Sequence, residues 1–297
     1  MHVFVTGATG HIGSAVVTEL LEAGHEVTGL ARSDAAAAAL TKAGAAAQRG
    51  DLDDLDGLRT AAAAADGVIH LAFRHDFDDF VGAAETDLRA VETMGEALAG
   101  SDRPFVITSG TLLLAFAAPG RIATEQDTLP GGPRIDSENA AIALAERGVR
   151  SSVVRLSPLV HSTLDHHGFA HHLINTARDT GVSAYLGDGS NRWPAVHTLD
   201  AVHLYRLALE KAPAGTRLHG VADEGVPFRD IAGVIGLHLD LPVVGISPEE
   251  ADHFGFLSVF ASLDNPTSSA LTRKELDWHP EYPGLIEDLD EGHYFGE

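Results

Sequence analysis

The feature that most constrains this chain is a glycine-spaced turn set between an apolar strand and a helical pattern. His2-Val3-Phe4-Val5 is a short run rich in β-branched and aromatic residues, as in a buried strand. It leads directly into Thr6-Gly7-Ala8-Thr9-Gly10-His11-Ile12-Gly13, a T-G-x-x-G-x-x-G turn. Behind it, Ser14 to Leu21 reads as a helix, with Ile12, Val16 and Leu20 spaced for one face and Gly24 as the stop. Strand, turn and helix together form a dinucleotide-binding βα unit. Gly7 allows the tight turn, Gly10 lets the backbone approach a pyrophosphate, and Gly13 lets helix and strand pack closely. The anion would lie over the turn and first helical residues, Thr9, Gly10, His11, Ile12 and Gly13, where unpaired N–H groups and the helix dipole favour negative charge. A purely structural glycine turn is the competing reading, but a second strand, His25 to Leu30, follows at the distance a nucleotide fold requires.

Composition narrows the partners. The chain has 297 residues, 44% of them apolar, enough for a substantial core in one large domain or two intertwined ones. Its net charge is −23, from 43 acidic and 20 basic residues, and Lys42, Lys211 and Lys274 are its only lysines. Such a field repels nucleic acid and anionic membranes, and any bound phosphate needs a local set of donors. Cysteine is absent, which removes disulfides, a thiolate nucleophile and cysteine metal sites. No signal segment precedes the first strand and no apolar run reaches the roughly 18 residues of a membrane span. A soluble, cytoplasmic protein is expected.

With this turn the chain resembles the short-chain dehydrogenase/reductase superfamily, specifically its extended and atypical members, which include nucleotide-sugar epimerases and dehydratases. The resemblance runs over nearly the whole length. It implies an α/β fold: a Rossmann-type doubly wound parallel sheet with a smaller C-terminal substrate lobe. Residues 1–156 would form the nucleotide domain, with 196–222 returning to it, and 157–195 and 223–297 the interleaved substrate lobe. A homodimer and a small-molecule substrate are likewise expected from the family.

Taken in order, the second strand ends at Ala31-Arg32-Ser33. An NAD site usually carries an acid here; a guanidinium and a hydroxyl suit the 2′-phosphate of NADP(H), although an exposed turn arginine would look the same. Residues 35–48 read as an alanine-rich helix, and Gly50-Asp51-Leu52-Asp53 closes a third strand, where the resemblance gives Asp51 and Leu52 to the adenine edge. Gly67 to Phe73 is a fourth buried strand; by resemblance Leu71, Ala72 and Phe73 lie along the dinucleotide, while a plain core strand would read alike. An acidic loop at Asp76 to Asp79 precedes a helix over 83–98, in which Asp87 stands where relatives commonly have asparagine. The strand 104–111 ends in hydroxyls, and either Ser109 or Thr111 matches the family's active-site Ser/Thr; both could equally satisfy backbone groups.

The segment Pro133-Arg134-Ile135-Asp136-Ser137-Glu138 departs from the family. The superfamily normally supplies a proton-donating tyrosine with a lysine four residues later. Arg134 stands at the tyrosine position and Glu138 at the lysine position, and none of Tyr185, Tyr205, Tyr282 or Tyr294 has a lysine four residues on. After the sixth strand, Ser152 to Leu156, the run Ser157 to His161 resembles the turn that packs on the nicotinamide, giving Leu159, Val160 and His161 to cofactor or substrate. His161, His166, His167, His171 and His172 then cluster; pocket lining or surface is the expected role, and no metal is assigned. Tyr185 and Trp193 offer flat surfaces for an organic substrate, or core packing. A strand follows at 216–222, a helix at 228–236, a strand at 242–246 and a helix at 248–260, and Trp278-His279-Pro280 stops the closing helix.

The leading expectation is an NADP(H)-dependent oxidoreductase that reduces a carbonyl or imine of a small organic substrate. Ser109 or Thr111 would hydrogen-bond the reacting atom, and Arg134, His161, Tyr185 or water would replace the missing phenol. Of these, Arg134 cannot readily release a proton and His161 is the better acid near neutral pH. A cofactor-binding sensor or scaffold without turnover is the alternative from another class. A nucleotide-sugar epimerase or dehydratase comes third, because those activities lean on the absent dyad.

Overall fold

Alternation along the central strands sends successive side chains into two separate cores. The computed structural model describes residues 1–75 and 79–296; of the expected acidic loop at Asp76 to Asp79, residues 76–78 lie outside the described residues. The first half runs β1 (His2–Thr6), α1 (His11–Glu22), β2 (Glu26–Ala31), α2 (Asp34–Ala43), β3 (Ala46–Arg49), α3 (Leu55–Ala64), β4 (Gly67–His70), α4 (Phe80–Leu98) and β5 (Pro104–Gly110). A short α5 (Leu114–Ala117), then α6 (Ile135–Ala143) and β6 (Arg150–Leu156), follow. The chain continues through β7 (Leu159–His161), α7 (Phe169–Thr180), β8 (Ser183–Leu186), β9 (Arg192–His197), α8 (Thr198–Lys211), β10 (Thr216–Gly220) and β11 (Asp223–Pro227). It ends with α9 (Phe228–Leu239), β12 (Val243–Ile246), a 3-10 stretch Pro248–Leu257, α10 (Ala270–Leu276) and α11 (Leu285–Asp290).

Seven strands form one sheet in the order β10-β6-β5-β4-β1-β2-β3, and every adjacent pair is parallel. Val3, Val5, Ile69, Val106 and Val154 pack toward α1, α2 and α8. Phe4, Val68, Phe105, Ile107 and Val153 pack toward α3, α4 and α6. Helices on both faces explain why these strands are continuously apolar. The strand order reverses between β1 and β4, so the crevice for a ligand opens at their carboxyl ends. The fold is thus a Rossmann-type α/β fold. A third core, with Trp193, Phe228 and Phe254, joins the three-stranded sheet β11-β9-β7 and the pair β12-β8 to α7, α9 and α11. No helix among the described residues is long and apolar enough to cross a membrane.

Several expected elements have different bounds. The alanine-rich helix stops at Ala43, where Gly44 adopts φ +92 as a left-handed cap. Residues 46–49 pair with β2 as an edge strand, and the expected strand at 50–53 is a turn instead, begun by Gly50 at φ +156. The fourth strand ends at His70, short of Phe73. The helix expected over 248–260 is a 3-10 stretch broken at Gly255. β11 was not foreseen; it begins where the strand expected to reach 222 has already ended at Gly220. At the closing end, Trp278 donates through Nε1 to the Asp200 carbonyl at 3.1 Å. The Asp200 carboxylate accepts from the backbone N–H groups of Glu281 and Tyr282 at 2.8 and 3.2 Å.

Candidate active site

At the carboxyl end of β1 two of the three glycines of the turn, Gly7 and Gly13, are required by their surroundings. A Cβ on Gly13 would stand 2.0 Å from the Gly7 carbonyl oxygen, and one on Gly7, at φ +69, would stand 2.7 Å from the Ala72 nitrogen. Gly10 has only the Gly7 oxygen near, at 3.4 Å, and it is exposed together with Thr9. The first helical bond of α1 is Ser14 N–H to the Gly10 carbonyl, so the N–H groups of His11, Ile12 and Gly13 lie in the unpaired first turn. These residues fit a pyrophosphate. His11 also reaches outward: its Nε2 lies 2.9 Å from Thr198 Oγ1 and its Nδ1 3.6 Å from Asp165, and burial lowers its pKa.

Beyond β2, Arg32 is exposed, with no hydrogen bond or ion pair among the described residues. Ser33 caps α2, its Oγ accepting from Ala36 N–H at 3.1 Å. Asp51 accepts from the N–H groups of Asp53 and Asp54 and so closes a turn. Leu52 is buried with Phe4 and Leu30.

A chain of buried polar groups crosses the crevice. The Thr6 hydroxyl accepts from Ala72 N–H at 3.2 Å and lies 2.6 Å from His70 Nδ1. His70 Nε2 lies 3.1 Å from Asp87 Oδ1, which pairs with Arg134 Nη1 at 3.3 Å. Arg134 Nη2 donates to the Thr108 carbonyl at 2.8 Å, and the guanidinium lies 4.1 Å over the Phe73 ring. Burial pushes the Asp87 carboxyl up, but the Arg134 charge and the His70 hydrogen bond outweigh it and hold the group below the usual carboxylate range. Arg134 holds this position from a residue with φ +69 at the start of α6, a backbone conformation that non-glycine residues rarely adopt. The two family departures, at residues 87 and 134, therefore meet as one ion pair.

The two candidate hydroxyls separate. Ser109 shares the face of β5 with Phe105 and Ile107, on the α6 side; its Oγ is buried and has no partner. Thr111 is tied to Asn265, whose Nδ2 donates to its Oγ1 at 3.5 Å. Thr108 faces the other way, toward the buried Tyr205 hydroxyl at 2.8 Å.

Other expected site residues are drawn elsewhere. Glu138 turns to the sheet, where Arg155 holds it bidentately and Arg217 Nε donates to it at 2.7 Å. His161 is fully buried and its Nδ1 lies 2.8 Å from Asp288. It shares a face of β7 with Leu159, which packs in the substrate-lobe core, whereas Val160 packs toward α1 and α8. Leu159 and His161, expected on the cofactor or substrate face, are thus interior positions in this structure, and His161 is not exposed to act as an acid. Trp193 is likewise a core residue, 0% exposed and set edge-on against Phe228, so it offers no surface to a substrate. Tyr185 lies in the β12-β8 pair against Gly189 and Gly245. Tyr282 stacks on His197, and Tyr294 is buried beside Asp165.

The histidine cluster is dispersed among local partners, with His171 on the Asp165 carbonyl and His172 on the Phe254 carbonyl. A different trio, Asp288, Glu291 and His293, brings one potential ligand atom each within 4.8 Å. Thr6, His70 and the Thr108 carbonyl escaped sequence reading. Their signal is the register of β1 on β4, which sets Thr6 against His70 and appears only once the strands are paired.

With the fold and crevice in view, the class is a nicotinamide-dinucleotide-binding Rossmann protein. Residues 3–219 match the profile of the NAD dependent epimerase/dehydratase family, and the chain belongs to that family. It is 50% identical over 298 residues to an uncharacterised protein of Schizosaccharomyces pombe, covering 99% of this chain and 100% of the other. An uncharacterised protein of Saccharomyces cerevisiae is 47% identical over 295 residues, covering 97% and 98%. Among solved structures, a dTDP-glucose 4,6-dehydratase double mutant from Streptomyces venezuelae, with NAD bound, superposes with a TM-score of 0.78 at 20% identity, covering 99% and 97%.

Proposed function

We propose that this chain is an NADP(H)-dependent oxidoreductase that reduces a carbonyl or imine of a small organic molecule. The observation that carries the reading is Arg134, anchored by Asp87, Phe73 and the carbonyl of Thr108, the residue that precedes Ser109 in β5, whose hydroxyl has no partner. The glycine turn, α1 and Ala72 would hold the dinucleotide, and the free guanidinium of Arg32 would receive a 2′-phosphate. The bound nicotinamide supplies hydride. The Ser109 hydroxyl, buried in this structure, would have to be uncovered to donate a hydrogen bond to the reacting oxygen or nitrogen, and Arg134 would stabilise the charge that develops there. Arg134 keeps its proton, and among the described residues His161 is bound to Asp288 and Tyr185 lies against Gly189 and Gly245, so the proton would come from water.

NADPH consumption against a panel of ketones, aldehydes and imines tests this. Ser109→Ala and Arg134→Ala should each lower kcat about a hundredfold, the usual cost of one lost donor to a developing anion, with NADPH binding retained. Activity unchanged in both variants overturns the assignment. Arg32→Ala should weaken NADPH and leave NADH unaltered. A second reading, a dinucleotide sensor without turnover, draws on Glu138, whose carboxylate is committed to Arg155 and Arg217 and cannot act as the family's lysine does. Tight NADPH binding with silence across the panel would select it.

A further inference from the structure

Arg134 enters the crevice with its charge already matched. Asp87, only 2% exposed, lies 3.3 Å from Nη1, and the Thr108 carbonyl takes Nη2. A guanidinium so paired still donates hydrogen bonds, but it offers little net positive field to a second anion, since the adjacent carboxylate repels what the guanidinium attracts. Each arginine of the segments expected to form the substrate lobe has a partner of its own among the described residues. Arg192 is bound to Asp264 at 2.8 Å, and Arg178 to the Phe295 carbonyl at 3.2 Å. Arg229 lies 3.7 Å from Asp230, and Arg273 donates to the carbonyls of Val221 and Ala222. The remaining cation of those segments, Lys274, is exposed on α10. Just beyond the strand that carries Ser109, Leu112 is a partly buried apolar residue packed against the third core, as are Phe256 and Phe260.

We propose that Asp87 sets the charge specificity of this site, so that the substrate is an uncharged, predominantly apolar carbonyl or imine compound and not a phosphorylated or nucleotide-linked one. This rests on the oxidoreductase reading above for the place of the reacting group at Ser109 and Arg134. The asparagine isostere keeps an acceptor for His70 and removes the charge that balances Arg134.

The test uses the NADPH-loaded protein and its Asp87→Asn variant, with ligand affinity measured by calorimetry. The probes are a keto ester, the free keto acid of the same skeleton, and UDP-glucose. The wild type should bind the ester at least about tenfold more tightly than the acid and show no saturable binding of UDP-glucose. Asp87→Asn should shift the ester-to-acid ratio toward the acid by about tenfold or more, the effect expected when a buried cation loses its counterion. Retained NADPH affinity and an unchanged far-ultraviolet spectrum exclude misfolding; should Asp87→Asn not fold, Arg134→Met in its place must leave ester affinity above acid affinity. Wild-type binding of the acid or of UDP-glucose at least as tight as that of the ester overturns the assignment, as does a folded variant with an unmoved ratio, or no binding of any probe. Ester binding without NADPH oxidation upholds the charge assignment while overturning the redox reading.

Discussion

Gly13 shows how much a single residue can determine. A methyl group there would overlap the Gly7 carbonyl oxygen at 2.0 Å, and its nearest neighbours are all backbone atoms of Gly7 and Ala8, which cannot rotate away as a side chain could. Gly13→Ala should therefore cost about 1–3 kcal/mol, as overpacking typically does, and weaken NADPH by displacing the amides that face the pyrophosphate. Thermal denaturation and calorimetry read both effects, and an unchanged dinucleotide affinity would contradict the role given to the turn. Arg134 is the opposite case. Its position in the chain shows only that the family's tyrosine is not there. What replaces it depends on Asp87, a partner on another helix that no local pattern names.

At the scale of elements, the strands were legible because each is buried on both faces and reads as an apolar run. The edges were not. Ala46-Ala47-Gln48-Arg49 has the composition of the helix before it and becomes a strand only because β2 offers a free edge. His161 was misread for a related reason: an alternating strand gives two faces, and sequence alone does not say which one meets the cofactor. The site followed the same division, with the glycine turn evident from spacing and the Thr6–His70–Asp87–Arg134 chain hidden until strands and helices were paired.

The element contacts also fix a pH response. Burial lowers His219 to about 4; its Nδ1 lies 2.7 Å from the Ser268 carbonyl and its Nε2 lies 3.2 Å from Arg155 Nη1, so a second ring proton would face a cation. Burial likewise lowers His197 to about 4, where its Nδ1 accepts from Leu199 N–H. Unfolded, both rings titrate near 6.5, so between roughly pH 6.5 and 4 the unfolded chain binds more protons and stability falls as pH falls. The loss should be on the order of 2–3 kcal/mol per histidine. Asp87 and Glu138, whose folded pKa values lie below their usual range, contribute stability at neutral pH that is lost at still lower pH. Urea midpoints from pH 7.5 to 4 measure this, and His219→Gln should flatten the slope. A flat wild-type profile would contradict the assignment.

For the molecule as a whole, a net charge of −23 means that self-repulsion opposes the compact state. Raising sodium chloride from about 0.02 to 0.5 M shortens the screening length from roughly 20 Å to under 5 Å, so Tm should rise by several degrees. A Tm that falls with salt would show that surface ion pairs outweigh the repulsion.

The return of β10 to the sheet bears on how the polypeptide is made. β6 pairs with β5 on one side and with β10 on the other, yet β7, α7, β8, β9 and α8 are synthesised between β6 and β10. A nascent chain therefore emerges with an open, hydrogen-bonding rim along β6 that waits for residues 216–220. Cutting the gene between the lobes would make that transient rim permanent, which marks the protein as one that must be expressed in a single piece.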